Sequence, residues 1–60
     1  MLDIGTVVQG YWEDKADPFK IRKEPVTVMG YVYYKSRLYY VCLAEDGTEI
    51  EQGADGCRVI

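Results

Sequence analysis

Two cysteines, two closely spaced glutamates and a set of tyrosines hold most of the chemical capacity of this 60-residue chain. Cys42 and Cys57 would act as nucleophiles or metal ligands only as thiolates, which need a base or a positive charge alongside. Histidine, the commonest such base and metal ligand, does not occur in the sequence. Two isolated cysteines are too few for a zinc site and make no disulfide framework. They read as small packing residues of a reduced, cytoplasmic protein. Glu49 and Glu51 have the spacing of two carboxylates on one strand face, the pairing that acid–base catalysis uses. A pair standing on an open strand has no cleft around it, so the chain is expected to be a non-enzyme without cofactor or metal. The glycines match no phosphate-binding motif.

The aromatic residues point to binding. Six tyrosines stand beside one Trp and one Phe. Tyrosine gives a large rigid contact area with a polar tip, and exposed apolar patches on small proteins mark interaction sites. Charge is uneven along the chain. Lys15, Lys20, Arg22 and Lys23 gather early; Glu45, Asp46, Glu49, Glu51 and Asp55 gather late. The net charge of −3 disfavours general affinity for nucleic-acid phosphates, which needs clustered cations. No run of 18 apolar residues suggests a membrane span, and no signal peptide is visible at the N-terminus.

The elements that must position these residues are strands. No segment shows apolar positions at helical spacing, while β-branched and aromatic residues punctuated by glycines dominate. Five strands are expected, over Gly5 to Glu13, Val26 to Tyr34, Leu38 to Ala44, Thr48 to Gln52 and Cys57 to Ile60. A polar loop from Asp14 to Pro25 separates the first two, and Ala54-Asp55-Gly56 reads as a tight turn before the last. Asp46-Gly47 as a two-residue loop pairs Leu43 with Ile50 and Cys42 with Glu51. A loop at Ser36-Arg37, or over Lys35 to Leu38, pairs Tyr34 with Tyr39 and Val32 with Val41.

Side-chain alternation then gives two faces. The expected core is Val26, Val28, Val32, Tyr34, Tyr39, Val41, Leu43 and Ile50. The opposite face carries Thr27, Met29, Tyr31, Tyr33, Tyr40, Cys42, Ala44, Glu49 and Glu51. A three-residue loop over Lys35 to Arg37 would exchange the faces. In the first strand either Val8 and Trp12 or Val7 and Tyr11 point inward, with Gly10 a candidate bulge. Cys57 and Val59 are expected inside, Arg58 outside.

A long loop after strand one, a three-strand meander, a tight turn and a short last strand resemble an SH3-like barrel of Tudor or KOW layout. Gly5-Thr6-Val7 and Gly56-Cys57-Arg58-Val59-Ile60 stand where such folds have their first and last strands. The resemblance covers the whole chain as a pattern of strand and loop lengths. The Ala-Leu-Tyr-Asp-Tyr run and paired tryptophans of peptide-binding SH3 domains are missing. The implied fold is all-β: one five-stranded antiparallel barrel domain over residues 1–60. Tudor-type domains cage methylated Lys or Arg with aromatics beside a carboxylate, which would make Glu49 or Glu51 the acidic wall. An OB-type barrel would usually need a helix where Asp46-Gly47 closes the gap.

The expected partner-binding set is Tyr31, Tyr33, Tyr40, Glu49 and Glu51, with Trp12 either at the barrel mouth or in the core. Phe19 or Ile21 from the long loop could instead cover the tyrosines. The expected function is a protein-binding module or small inhibitor docking on a larger protein, as a phage or mobile-element accessory would, or on a second copy. The alternative is a nucleic-acid-binding barrel using the basic segment Lys20 to Lys23 and stacking tyrosines.

Overall fold

The computed structural model describes all 60 residues. Strands β1 (Val7–Glu13), β2 (Ile21–Tyr34), β3 (Arg37–Ala44) and β4 (Glu49–Gly53) precede a 3₁₀ turn at Ala54–Gly56. They form one antiparallel sheet in the order β1-β2-β3-β4, so each strand lies beside its neighbour in sequence. No helix is long and apolar enough to cross a membrane.

β2 is 14 residues long, starts earlier than expected and takes in Pro25. A proline removes a ladder donor and belongs at a position with a free side. β3 ends opposite Val26, so Pro25 lies just beyond the last residue β3 pairs. The first half of β2 pairs with β1 and the second half with β3, the two stretches overlapping at Val26 and Thr27.

Between Val28 and Gly30 the β2–β3 register shifts, leaving Met29 as a bulge. A bulge inserts one residue into one strand and so reverses which face its later residues take. Before it, Val26 and Val28 lie opposite Ala44 and Cys42; after it, Tyr31 and Tyr33 lie opposite Tyr40 and Leu38. One face of β3 (Leu38, Tyr40, Cys42, Ala44) is therefore continuous, while its β2 partners change from even to odd numbers.

The buried core is Val8, Val26, Val28, Tyr40, Cys42 and Ala44, with Leu2, Trp12, Leu38, Ile50, Ala54 and Cys57 packed around it. Val26, Val28 and Ile50 match the core expected from sequence. Val32, Tyr34, Tyr39, Val41 and Leu43 do not: they lie on the outer face, and Tyr40, Cys42 and Ala44 replace them inside. The unanticipated bulge is one cause. The β3–β4 turn is the other. Gly47 N donates to the Ala44 carbonyl (3.0 Å) and Ala44 N to the Thr48 carbonyl (2.8 Å). The chain therefore reverses over Glu45, Asp46 and Gly47, with Gly47 at φ 88°, as in a three-residue hairpin ending in a left-handed glycine. This extra residue puts Cys42 opposite Ile50 and Leu43 opposite Glu49, one step from the expected register.

The β2–β3 turn has two residues, Lys35 and Ser36, between the paired Tyr34 and Arg37. Both have positive φ, 50° and 64°, the geometry of a type I′ hairpin that Asn-Gly serves best. A left-handed L-residue costs about 1–2 kcal/mol, part of which glycine recovers. Ser36→Gly should raise stability by about 0.5–1 kcal/mol, read as a higher urea midpoint at unchanged slope.

In β1, Val8, Gly10 and Trp12 take the inner side, opposite Val26, Glu24 and Arg22. The ladder there is regular, so Gly10 is not a bulge. The fifth strand expected over Cys57 to Ile60 is reduced to a bridge between Val8 and Val59. It is held by Gln9 N to the Arg58 carbonyl (2.9 Å) and Ile60 N to the Val7 carbonyl (3.1 Å). Between β1 and β4 the link is a side chain: Gln52 Oε1 accepts from Tyr11 N at 3.4 Å. The sheet is not closed by a continuous ladder.

Candidate functional site

Tyr31 and Tyr33 are 55% and 65% exposed and pack edge to face, ring centroids 6.4 Å apart. They stand where β2 runs past its ladder with β1 and becomes an edge of the sheet. Tyr34, 58% exposed, lies on the other face of the same hairpin and packs edge to face on Tyr39 at 6.5 Å. The hairpin thus offers aromatic surface on both sides. The long loop does not cover it: Phe19 is 96% exposed, and Ile21 pairs with Glu13 at the far end of β1.

Tyr40 shares the face of Tyr31 and Tyr33 but is 4% exposed. Its hydroxyl accepts a hydrogen bond from Leu2 N at 2.8 Å, which satisfies the phenol and ties down the N-terminal segment. Tyr40 is therefore a core residue, unlike its expected place on the exposed face. Burial follows from its strand: Tyr40 lies on β3, flanked by β2 and β4, whereas Tyr31 and Tyr33 lie on the stretch of β2 that β1 does not pair.

Glu49 and Glu51 are exposed on β4, opposite Leu43 and Val41. That is the outer face, across the sheet from Tyr31 and Tyr33. The single tyrosine–glutamate surface expected from sequence does not form, because the three-residue β3–β4 turn moves the glutamates to the other side. The cations nearest the exposed tyrosines by sequence are Lys35 and Arg37, with the Lys35 ammonium 5.5 Å from the Tyr34 ring centre.

Trp12 is half-buried and packs against the core. The Arg22 guanidinium lies 4.9 Å from its ring centre, filling the seat a methylated cation would need. Arg22 Nε donates to Glu24 Oε2 (2.6 Å) and Nη1 to Asp46 Oδ2 (2.7 Å). These contacts hold Arg22 protonated beyond its ordinary range, hydrogen bonds to Glu24 and then Asp46 being the chief causes. The basic segment expected at Lys20 to Lys23 is thereby divided. Arg22 is paired on the inner face; Lys23 lies on the outer face, 5.9 Å from the Tyr11 ring centre.

Asp46 also caps its own turn, Oδ1 accepting from Thr48 N at 2.9 Å. Hydrogen bonds from Thr48 and then Arg22 hold this carboxyl well below the usual carboxylate range. A carboxyl depressed in the fold stabilises it above the unfolded-state pKa of about 3.9, and that stabilisation is lost as pH falls below it. The melting temperature should therefore fall on acidification from about pH 5 toward pH 2. Asp46→Asn should lower it at neutral pH and make the acid decline shallower, as read by circular dichroism across that pH range.

Both cysteines are free. Cys42 is fully buried opposite Ile50, not beside Glu51, and its thiol donates to the Tyr40 carbonyl at 3.7 Å. Burial and then the neighbouring Cys57 push the Cys42 thiol above its ordinary range; burial alone raises Cys57. Neither carries the lowered pKa that marks a reactive thiol.

The signal that sequence reasoning missed is the local charge of the hairpin. From Pro25 to Ala44 no Asp or Glu occurs, although the chain has 10.

What these features define is an all-β chain with a four-stranded antiparallel sheet and an aromatic hairpin that extends past its core. No protein-family model, no curated protein and no solved structure matches it.

Proposed function

We propose that this chain is a non-enzymatic protein-binding module that docks through the β2–β3 hairpin. The observation that carries the proposal is the exposure of Tyr31, Tyr33 and Tyr34 on one projecting element. Large aromatic area left in water at a fixed geometry is costly unless a partner covers it, and Tyr is enriched where partners do. The rings are held edge to face within each sheet face, so little side-chain freedom is lost on docking. Tyr31 and Tyr33 are the primary contacts. Glu49 and Glu51, on the outer face, belong to a rim that would guide orientation rather than to the contact itself.

The finer reading of the fold is an SH3-like barrel. A long loop after β1, a 3₁₀ turn after β4, and a terminal segment bridging back to β1 support it. Two free thiols suit a reducing cytoplasm, and a role as a small inhibitor or accessory protein suits a chain of this size. Under this reading, Tyr31→Ser and Tyr33→Ser weaken capture of the partner at least tenfold each while shifting the unfolding midpoint little. The measurement is quantitative pull-down from the native host alongside urea denaturation. Capture that survives both substitutions would sink the proposal.

A further inference from the structure

The hairpin is a cationic island on an acidic protein. Pro25 to Ala44 carries Lys35 and Arg37 and no carboxylate, a charge of +2, while the rest of the chain carries −5 toward its net −3. The chain has two ion pairs, and both belong to Arg22. Lys35 and Arg37 are therefore unpaired. Asp55 shares a shallow recess with Arg37, Leu38 and Tyr39 but makes no salt bridge to Arg37. Lys35 lies in the two-residue turn and Arg37 follows it, directly opposite Tyr34 on the outer face.

Resting on the docking role proposed above, we infer that the hairpin recognises a protein surface with an apolar centre rimmed by carboxylates. The partner wraps the hairpin tip: Tyr31, Tyr33 and Tyr34 cover the apolar part, and Lys35 in the turn and Arg37 beside Tyr34 meet the rim. Charge complementarity of this kind steers encounter and fixes register more than it adds affinity. The acidic remainder of the chain, with Glu49 and Glu51 exposed on the outer face, repels a partner's carboxylates and so directs them to the hairpin. Nucleic acid is a poorer occupant. Two phosphate contacts would give a salt slope of about −1.4 to −1.8, against a body carrying −5.

The test uses the full chain, labelled with nitrogen-15, and three peptides of equal length: alternating Glu and Leu, alternating Gln and Leu, and alternating Lys and Leu. Oligothymidylate is the fourth probe. The Glu-Leu peptide should shift the amides of Gly30 to Tyr40, binding about five- to tenfold more tightly than the Gln-Leu peptide at low salt. Lys35→Glu with Arg37→Glu should reverse the preference toward the Lys-Leu peptide, with the spectrum showing an intact fold. If that variant fails to fold, Lys35→Gln with Arg37→Gln should abolish the preference instead. Equal binding of all three peptides at the hairpin would overturn the acidic partner and leave docking through the hairpin standing. Shifts located elsewhere would overturn both. Tighter binding of oligothymidylate than of the Glu-Leu peptide would replace the protein partner with nucleic acid.

Discussion

Replacing Tyr40 with Ser should remove most of the folding stability, while Tyr31→Ser and Tyr33→Ser should leave it nearly intact. The three residues share one sheet face and differ in strand: Tyr40 sits on β3 between β2 and β4, and Tyr31 and Tyr33 on the part of β2 that β1 leaves as an edge. Tyr40 is 4% exposed among Val8, Val28 and Cys42 and holds Leu2 N. Truncating a buried aromatic costs about 3–5 kcal/mol. A chain of 60 residues is stable by only about 3–9 kcal/mol at the usual per-residue scale. Tyr31 and Tyr33 contribute an edge-to-face pair on a half-exposed strand, worth about 0.5–1 kcal/mol. Tyr40→Phe should fall between, losing about 1 kcal/mol with the hydrogen bond to Leu2. Urea unfolding followed by circular dichroism gives all four values. A similar cost for all three Ser substitutions would place the hairpin tyrosines inside.

Gly10→Ala should destabilise by about 1–3 kcal/mol, the usual cost of overpacking, although alanine is the smallest possible addition. A Cβ at position 10 would sit 2.9 Å from Val26 Cγ1, 3.0 Å from the Glu24 carbonyl oxygen and 3.0 Å from Trp12 Cζ3. Val26 is fully buried, and Glu24 pairs with Gly10 in the ladder, so neither can move cheaply. Trp12 is the part that can give. Its displacement would unseat Arg22 and loosen the hold on Asp46, so the tryptophan emission should shift along with the melting temperature. Gly30→Ala is the matched control. Its Cβ would meet nothing within 4 Å and its φ is not positive, so the substitution should be neutral or slightly stabilising.

The β class and strand positions were legible because they rest on local composition: alternating apolar residues bounded by glycine and proline. The choice of face was not, because it depends on single-residue insertions. Asp46-Gly47 reads as a two-residue turn, yet Asp46 serves better as the cap of a longer one, bonded to Thr48 and Arg22. Lys35-Ser36 carries none of the Asn or Gly that announces a type I′ turn. Met29 has no sequence mark of a bulge, since any residue can be the extra one. Gly10 looked like a bulge and is instead a close approach, a distinction that needs Val26 and Trp12 in space. The tyrosine surface was partly legible. Sequence alternation puts Tyr31, Tyr33 and Tyr40 on one face, and the two on the unflanked stretch of β2 are exposed. Lys35 and Arg37 stand out less in the sequence than the denser run at Lys20 to Lys23, which folding divides between two faces.

Which tyrosines the protein offers to a partner is the central claim, and hydroxyl-radical footprinting of the native chain with residue-level mass spectrometry reads it directly. Tyr31, Tyr33 and Tyr34 should be oxidised rapidly and Tyr40 protected until the chain is unfolded. Oxidation of Tyr40 as fast as Tyr33 in the native state would contradict the register, the bulge at Met29 and the binding surface built on them.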